Sequence, residues 1–242
     1  MNITYRKIMA QNGLTEFKDL IRKWESLAKN IENRPCGVPI ILPDLFLVSR
    51  SGTGRTFLLK LLSEYLTEKQ TLMDFYGDVS YFEFMLNYCS PEEHFSEIQR
   101  LMTEVDNAAG FRSEYRGIIY IDIDEWRDHF EEKHFVSFME YLSDNSDEWL
   151  VVLSVSDDEK EQTDALEAFV SSYIRIERIE IEQPTLWDLT AYAKKMLDAY
   201  GIRLKPEAEK VISEAIGVLR GNKYFDGYKT VKMLCEDIAY SL

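Results

Sequence analysis

Positive charge is scarce in this chain. Its 242 residues carry 28 lysines and arginines against 43 aspartates and glutamates, a formal net charge of −15. A field of that sign opposes condensation onto phosphate backbones, and no local basic patch overrides it, so nucleic acid is not an expected partner. Cysteine is scarcer still. Cys36, Cys89 and Cys235 lie far apart, with no CxxC pair and no histidine cluster to complete a zinc site, and they read as reduced, mostly buried thiols. Long apolar runs are missing as well. No stretch approaches the ~18 to 20 uninterrupted apolar residues of a membrane span. The N-terminal MNITYRKIMAQNG lacks the apolar region of a signal peptide. The expected address is the cytoplasm, without membrane insertion.

What is present suits a globular protein. The 45% hydrophobic and 13% aromatic content argues against disorder, and the length allows one large domain, or a large one with a small companion, to bury a core without disulfide or metal staples. The run 14–31 places Leu14, Phe17, Leu20, Ile21, Trp24 and Leu27 at helical spacing and predicts an amphipathic leading helix. Pro35, Gly37, Pro39 and Pro43 then break regular structure and mark a connector. Leu45–Val48 reads as a short buried strand, followed by SRSGTGRT (49–56) and a helix over 57–69.

The alternation continues. Strands are predicted at 79–86, 117–123 and 149–156, with helices over 91–110 and 126–144. Buried apolar strands separated by helices imply a parallel sheet covered on both faces, and IRIERIEI (174–181), which alternates apolar with polar, is placed at its edge. After Gln183-Pro184-Thr185 the composition shifts to three helices, over 185–201 with a Thr185 cap, 205–219 with Pro206 in its first turn, and 228–242. The expected organisation is an α/β part over 1–183 and a small all-helical part over 184–242.

SRSGTGRT resembles a phosphate-binding loop of the form GxxxxGK[ST]. There, glycines turn backbone N–H groups toward phosphates, lysine reaches the terminal phosphate oxygens and the hydroxyl ligates magnesium. Two of the four defining positions have changed: the first glycine is Ser49 and the lysine is Arg55. Arginine's planar fork is not a conservative replacement for a compact ammonium. Ser51, Gly52, Thr53, Gly54, Arg55 and Thr56 are the candidate phosphate ligands, with Thr56 also a candidate for magnesium. A second element lies at the end of a neighbouring strand. IIYIDIDE offers Asp122 to hold magnesium, but the next position, where a water-polarising glutamate is expected, is Ile123. Asp124 and Glu125 are the remaining candidate catalytic acids, and strand alternation sends Asp124 to the side of Asp122. Each element also has a plain reading: a strand-to-helix turn for the loop, and acids opening a helix for IDIDE.

The order of parts resembles an AAA+ ATPase module. Within that family the chain is most similar to the CbxX/CfxQ type, the group of red-type Rubisco activase and sporulation stage V protein K. GIIYIDIDEW resembles GVLFIDEAYSL, VVLSVSDDE (151–159) is similar to VIVAGYPDE, and FDGYKTVKMLCE (225–236) looks like FGNARTVRNLFE. The resemblance implies a P-loop NTPase sheet followed by a helical lid. It puts Asp122 at the Walker B aspartate, Ser156 at sensor 1, Lys229 at sensor 2 and Lys232 at a second basic position. Of the arginine finger only Arg175 and Arg178 remain, neither in clean register, and the pore-loop aromatic corresponds to Tyr88, in Tyr88-Cys89-Ser90, without its glycine.

The loss of lysine and glutamate together predicts weak or absent hydrolysis. It leaves open whether ATP or ADP with magnesium binds or no cofactor is used. The expected role is a nucleotide-binding subunit in protein assembly or remodelling, in a ring of AAA+ subunits or on a basic protein partner. Two alternatives stand: a working remodelling ATPase that uses Arg55 and a displaced acid, and a small P-loop kinase, against which the helical lid argues.

Overall fold

The computed structural model describes residues 3–11, 14–32, 42–72, 77–110, 117–145 and 149–241. In chain order the elements are α1 (Ile3–Met9), α2 (Thr15–Glu32), β1 (Asp44–Ser49), α3 (Arg55–Glu68), β2 (Tyr81–Met85), α4 (His94–Gly110), β3 (Ile118–Asp122), α5 (Lys133–Asp144), β4 (Leu150–Val155), α6 (Lys160–Val170), β5 (Ile176–Ile181), α7 (Leu186–Ala199), α8 (Pro206–Arg220) and α9 (Gly227–Ser241). The five strands form one sheet in the order β2-β3-β4-β1-β5, and every neighbouring pair is parallel.

Period-two side-chain alternation sorts the apolar residues of each strand to opposite faces. Leu45 and Leu47 of β1, with Ile118 and Tyr120 of β3 and Val152 of β4, pack under α1, α2 and α3. Phe46 and Val48, with Ile119, Ile121 and Leu153, pack under α4, α5 and α6. Every residue of β1 and β4 is therefore buried, which explains the unbroken apolar runs of these central strands. The predicted edge strand is at the edge: β5 pairs only with β1, and its outer positions carry charge.

Beyond Gln183 the helices α7, α8 and α9 surround a separate apolar cluster built on Leu189, Ala193, Leu197, Ile216, Val231 and Cys235. Local chemistry sets their ends. Thr185 caps α7 in a reciprocal capping box with Asp188, and Pro206 opens α8. Among the described residues no helix is long and apolar enough to cross a membrane.

Four features depart from the sequence reading. Helix α1 precedes the leading helix, and α6 occupies a stretch for which no element was expected. The helix expected over 126–144 begins only at Lys133; Asp124–Trp126 is a tight 3-10 turn, and the chain then bends. Tertiary bonds override local periodicity there: buried Trp126 donates its indole N–H to the Asn87 carbonyl, and Glu132 accepts from the Tyr88 hydroxyl. Of the three thiols, Cys235 is buried but Cys89 only half-buried, and Cys36 and most of the connector (33–41) lie outside the described residues.

Candidate functional site

The glycine loop leaves β1 at the carboxyl end of the sheet, the end where parallel α/β sheets bind ligands. Gly52 (φ 75°) and Gly54 (φ 95°) are both left-handed, a backbone that side chains with a Cβ rarely adopt. Gly54 is also the N-cap of α3 and offers no side-chain cap, so the first N–H groups of the helix lack an intrahelical partner. Thr53 is buried and donates its hydroxyl to the Arg50 carbonyl, which fixes the turn. Arg50 is tied to Asp157 and Asp158.

Arg55 reaches across the sheet. Its Nη1 donates to Asp122 Oδ2 (2.9 Å), to the Tyr120 hydroxyl (2.9 Å) and to Ser154 Oγ (3.1 Å). The three acceptors share one sheet face because Tyr120 and Asp122 are two residues apart on β3 and Ser154 is opposite Asp122 in register on β4. Partial burial pulls the guanidinium's pKa down, and Tyr120 and Asp122 more than offset it, so it lies above its ordinary value. Burial pushes Tyr120 up to about 12 against the opposing pull of Arg55, which keeps the phenol protonated. The guanidinium's other nitrogens, Nε and Nη2, have no protein partner among the described residues.

The other candidate acids face elsewhere. Strand alternation ends with β3, and Asp124 turns to accept the Ser156 N–H at 2.8 Å and to pair with Arg127 at 3.3 Å. Glu125 accepts the Tyr88 N–H at 2.8 Å, which anchors the start of the β2–α4 loop. Ile123 is wholly buried in the apolar cluster below α4–α6, so the position after Asp122 points into the core. Thr56 is exposed and donates to Glu83 of β2 at 3.3 Å. Ser156 contributes its backbone to Asp124, while its own hydroxyl is buried with no partner, as is that of Ser49.

The helical part closes directly on the loop. Tyr228 N–H donates to the Gly52 carbonyl at 3.1 Å, and Ser51 Oγ donates to Asp226 Oδ1 at 2.7 Å. A Cβ on Gly52 would stand 2.4 Å from the Asp226 carbonyl carbon, and one on Gly227 only 2.2 Å from the Gly52 oxygen. Gly227 is itself left-handed, with φ 46°. Lys229 points outward, 74% exposed, and pairs with Asp226 at 3.6 Å; Lys232 pairs with Glu236 along α9. Arg178 is held by Asp164, Glu167 and Glu180, all in the same chain.

The structure thus brings together Ser51, Gly52, Gly54, Arg55 and Asp122, and it directs Asp124, Glu125 and Lys229 away from Arg55. Tyr120, Ser154, Asp226 and Gly227 escaped the sequence reading. Counting back by two from Asp122 finds Tyr120, but nothing local to 225–228 announces its contact with Gly52.

No protein-family model and no curated protein matches the sequence. Solved structures do resemble the fold. The replication initiator DnaA bound to AMPPCP and single-stranded DNA superposes with a TM-score of 0.51 at 13% identity, over 90% of this chain and 60% of that one. The S. cerevisiae Hsp104–ADP complex gives 0.51 at 13%, over 91% and 31%. A point variant of Thermotoga maritima RuvB gives 0.50 at 14%, over 93% and 63%. The chain therefore spans less than two thirds of each of these three. Identity this low establishes the fold alone: the parallel P-loop NTPase sheet with a C-terminal helical lid, as in AAA+ ATPases.

Proposed function

We propose that this chain is a nucleotide-binding AAA+ module that has lost efficient hydrolysis and acts as a subunit in protein assembly or remodelling, with an α/β part over 1–183 and a lid over 184–242. The observation that carries this reading is the commitment of every candidate catalytic group. Arg55 is bound to Asp122, Asp124 to the Ser156 N–H and Glu125 to the Tyr88 N–H. Phosphoryl transfer to water depends on positioning and on stabilising the charge that develops, and here neither Asp124 nor Glu125 is left to orient the water. A nucleotide remains a reasonable ligand, because the left-handed glycines and the first turn of α3 present backbone N–H groups. DnaA and Hsp104 were solved with AMPPCP and with ADP.

Within the AAA+ fold we place the chain nearest the CbxX/CfxQ type, on the register of 225–236. Charge distribution supports an assembly role. Residues 1–183 carry 19 basic against 35 acidic side chains, whereas 184–242 carry 9 against 8, so the acidity of the chain resides in its α/β part. A near-neutral lid meeting the acidic part of a second copy avoids the repulsion expected of uniformly charged subunits, and a basic partner protein would meet the same acidic surface. The test is phosphate release from ATP by the purified chain beside an Asp122→Ala control. The reading expects both at the same background, and steady release abolished by the substitution would refute it.

A further inference from the structure

The fold family implies a magnesium ion bridging the nucleotide and the Walker B acid, and the residues here do not fit one. Both Asp122 oxygens already have partners, Oδ2 accepting a guanidinium N–H at 2.9 Å and Oδ1 the Asp124 N–H at 3.1 Å, and the Thr56 hydroxyl is turned to Glu83. A divalent cation seated there would share its carboxylate with a fixed positive charge, which Coulomb repulsion disfavours.

We infer that Arg55 itself supplies the bridging cation, and that this site binds a nucleoside di- or triphosphate without a divalent metal. This rests on the nucleotide-binding reading above and deepens it. The geometry is that of a two-sided fork. One terminal nitrogen of Arg55 is spent on Asp122, Tyr120 and Ser154, while Nε and Nη2 form the remaining edge and have no protein partner among the described residues. That edge matches two phosphate oxygens, the pairing for which arginine is suited and lysine is not. The side chain is 26% exposed, enough for a ligand to reach it, and its position is set by three bonds to two strands.

A second observation points to a ligand at the same place. The Ser49 hydroxyl is buried, 1% exposed, and has no hydrogen-bond partner. By strand alternation it lies on the Leu45 and Leu47 face of β1, the face that carries Tyr120 and Asp122. Carrying the β1–β4 register on by one residue sets it beside Ser156, whose buried hydroxyl is likewise unpartnered. Two unfilled donors at the carboxyl edge of the sheet suit an anion's oxygens.

The experiment is equilibrium binding of fluorescent mant-ADP and mant-ATP to the full chain, in excess magnesium and in excess EDTA. Dissociation constants within about threefold in the two buffers are expected, a difference well under one tenfold step. Arg55→Lys, checked for folding by circular dichroism, should make binding at least ~10-fold weaker in EDTA than in magnesium. Wild-type binding that tightens ~10-fold or more with magnesium overturns the inference, as does absence of binding in both buffers. Binding that needs magnesium overturns the metal-free site alone and leaves the nucleotide-binding reading standing, whereas absence of binding in both buffers overturns both.

Discussion

The two ends of the central sheet each hold a carboxylate on the edge of the apolar core, and they resolve the cost of burial in opposite ways. At the amino end Asp44 is 5% exposed, accepts one N–H, from Val151 at 2.7 Å, and meets no cation among the described residues. Burial, only partly offset by that bond, pushes its pKa up to about 7. At the carboxyl end Asp122 meets Arg55, and Tyr120 and Ser154 complete the cluster. The first arrangement holds its proton far above the ordinary carboxylate range; the second sets its carboxylate against a guanidinium and leaves part of that cation facing outward. A fixed, half-spent positive charge is what an anion site needs, and Arg55, the first residue of the helix that follows the glycine loop, presents one.

The largest effect that would break this contrast comes from the lid. Gly227→Ala places a Cβ against the Gly52 backbone and should lower stability by about 3 kcal/mol while exposing α7–α9 to limited proteolysis. An unchanged melting temperature would mean that the lid does not seat on the loop.

Next is Asp44→Asn. With a folded pKa near 7 against an ordinary 3.8, native Asp44 holds a proton that the unfolded chain has lost between those values. Its contribution is fully present below 3.8 and is lost as pH rises through 7, so stability should fall across that window. The amide retains the acceptor for Val151 and removes the titration. The variant should equal the wild type near pH 4 and exceed it at pH 8 by on the order of 2 kcal/mol, as read by urea unfolding.

The smallest effect concerns the other end. A double-mutant cycle on Arg55→Ala and Asp122→Ala should return a coupling of about 1 to 2 kcal/mol. A coupling near zero would leave the carboxyl end no different in kind from an exposed surface pair.

Much of this fold was legible from particular residues. The apolar runs at 45–48, 117–123 and 149–156 mark strands buried on both faces, and Thr185 with Asp188 and Pro206 mark helix starts through bonds local in sequence. Helix α6 was not legible because its buried face rests on Thr163, Leu166 and Val170 within a strongly acidic stretch. The late start of α5 was hidden because Trp126–Asn87 and Glu132–Tyr88 are tertiary bonds. At the site, the loop and Asp122 could be read from spacing, whereas the destinations of Asp124 and Glu125 depend on where β3 stops and on the N–H groups of Ser156 and Tyr88. Sequence periodicity carries strands further than it carries the turns that follow them.

The most direct test of a site that holds nucleotide but does not turn it over is to incubate the full chain with ATP for hours in EDTA and in magnesium, remove free nucleotide, denature the protein and identify what was bound. Intact ATP recovered from both samples is the predicted result. ADP recovered from the magnesium sample, and not from an Asp122→Ala control that had also bound ATP, would show that Arg55 and Asp122 support catalysis and would contradict the account.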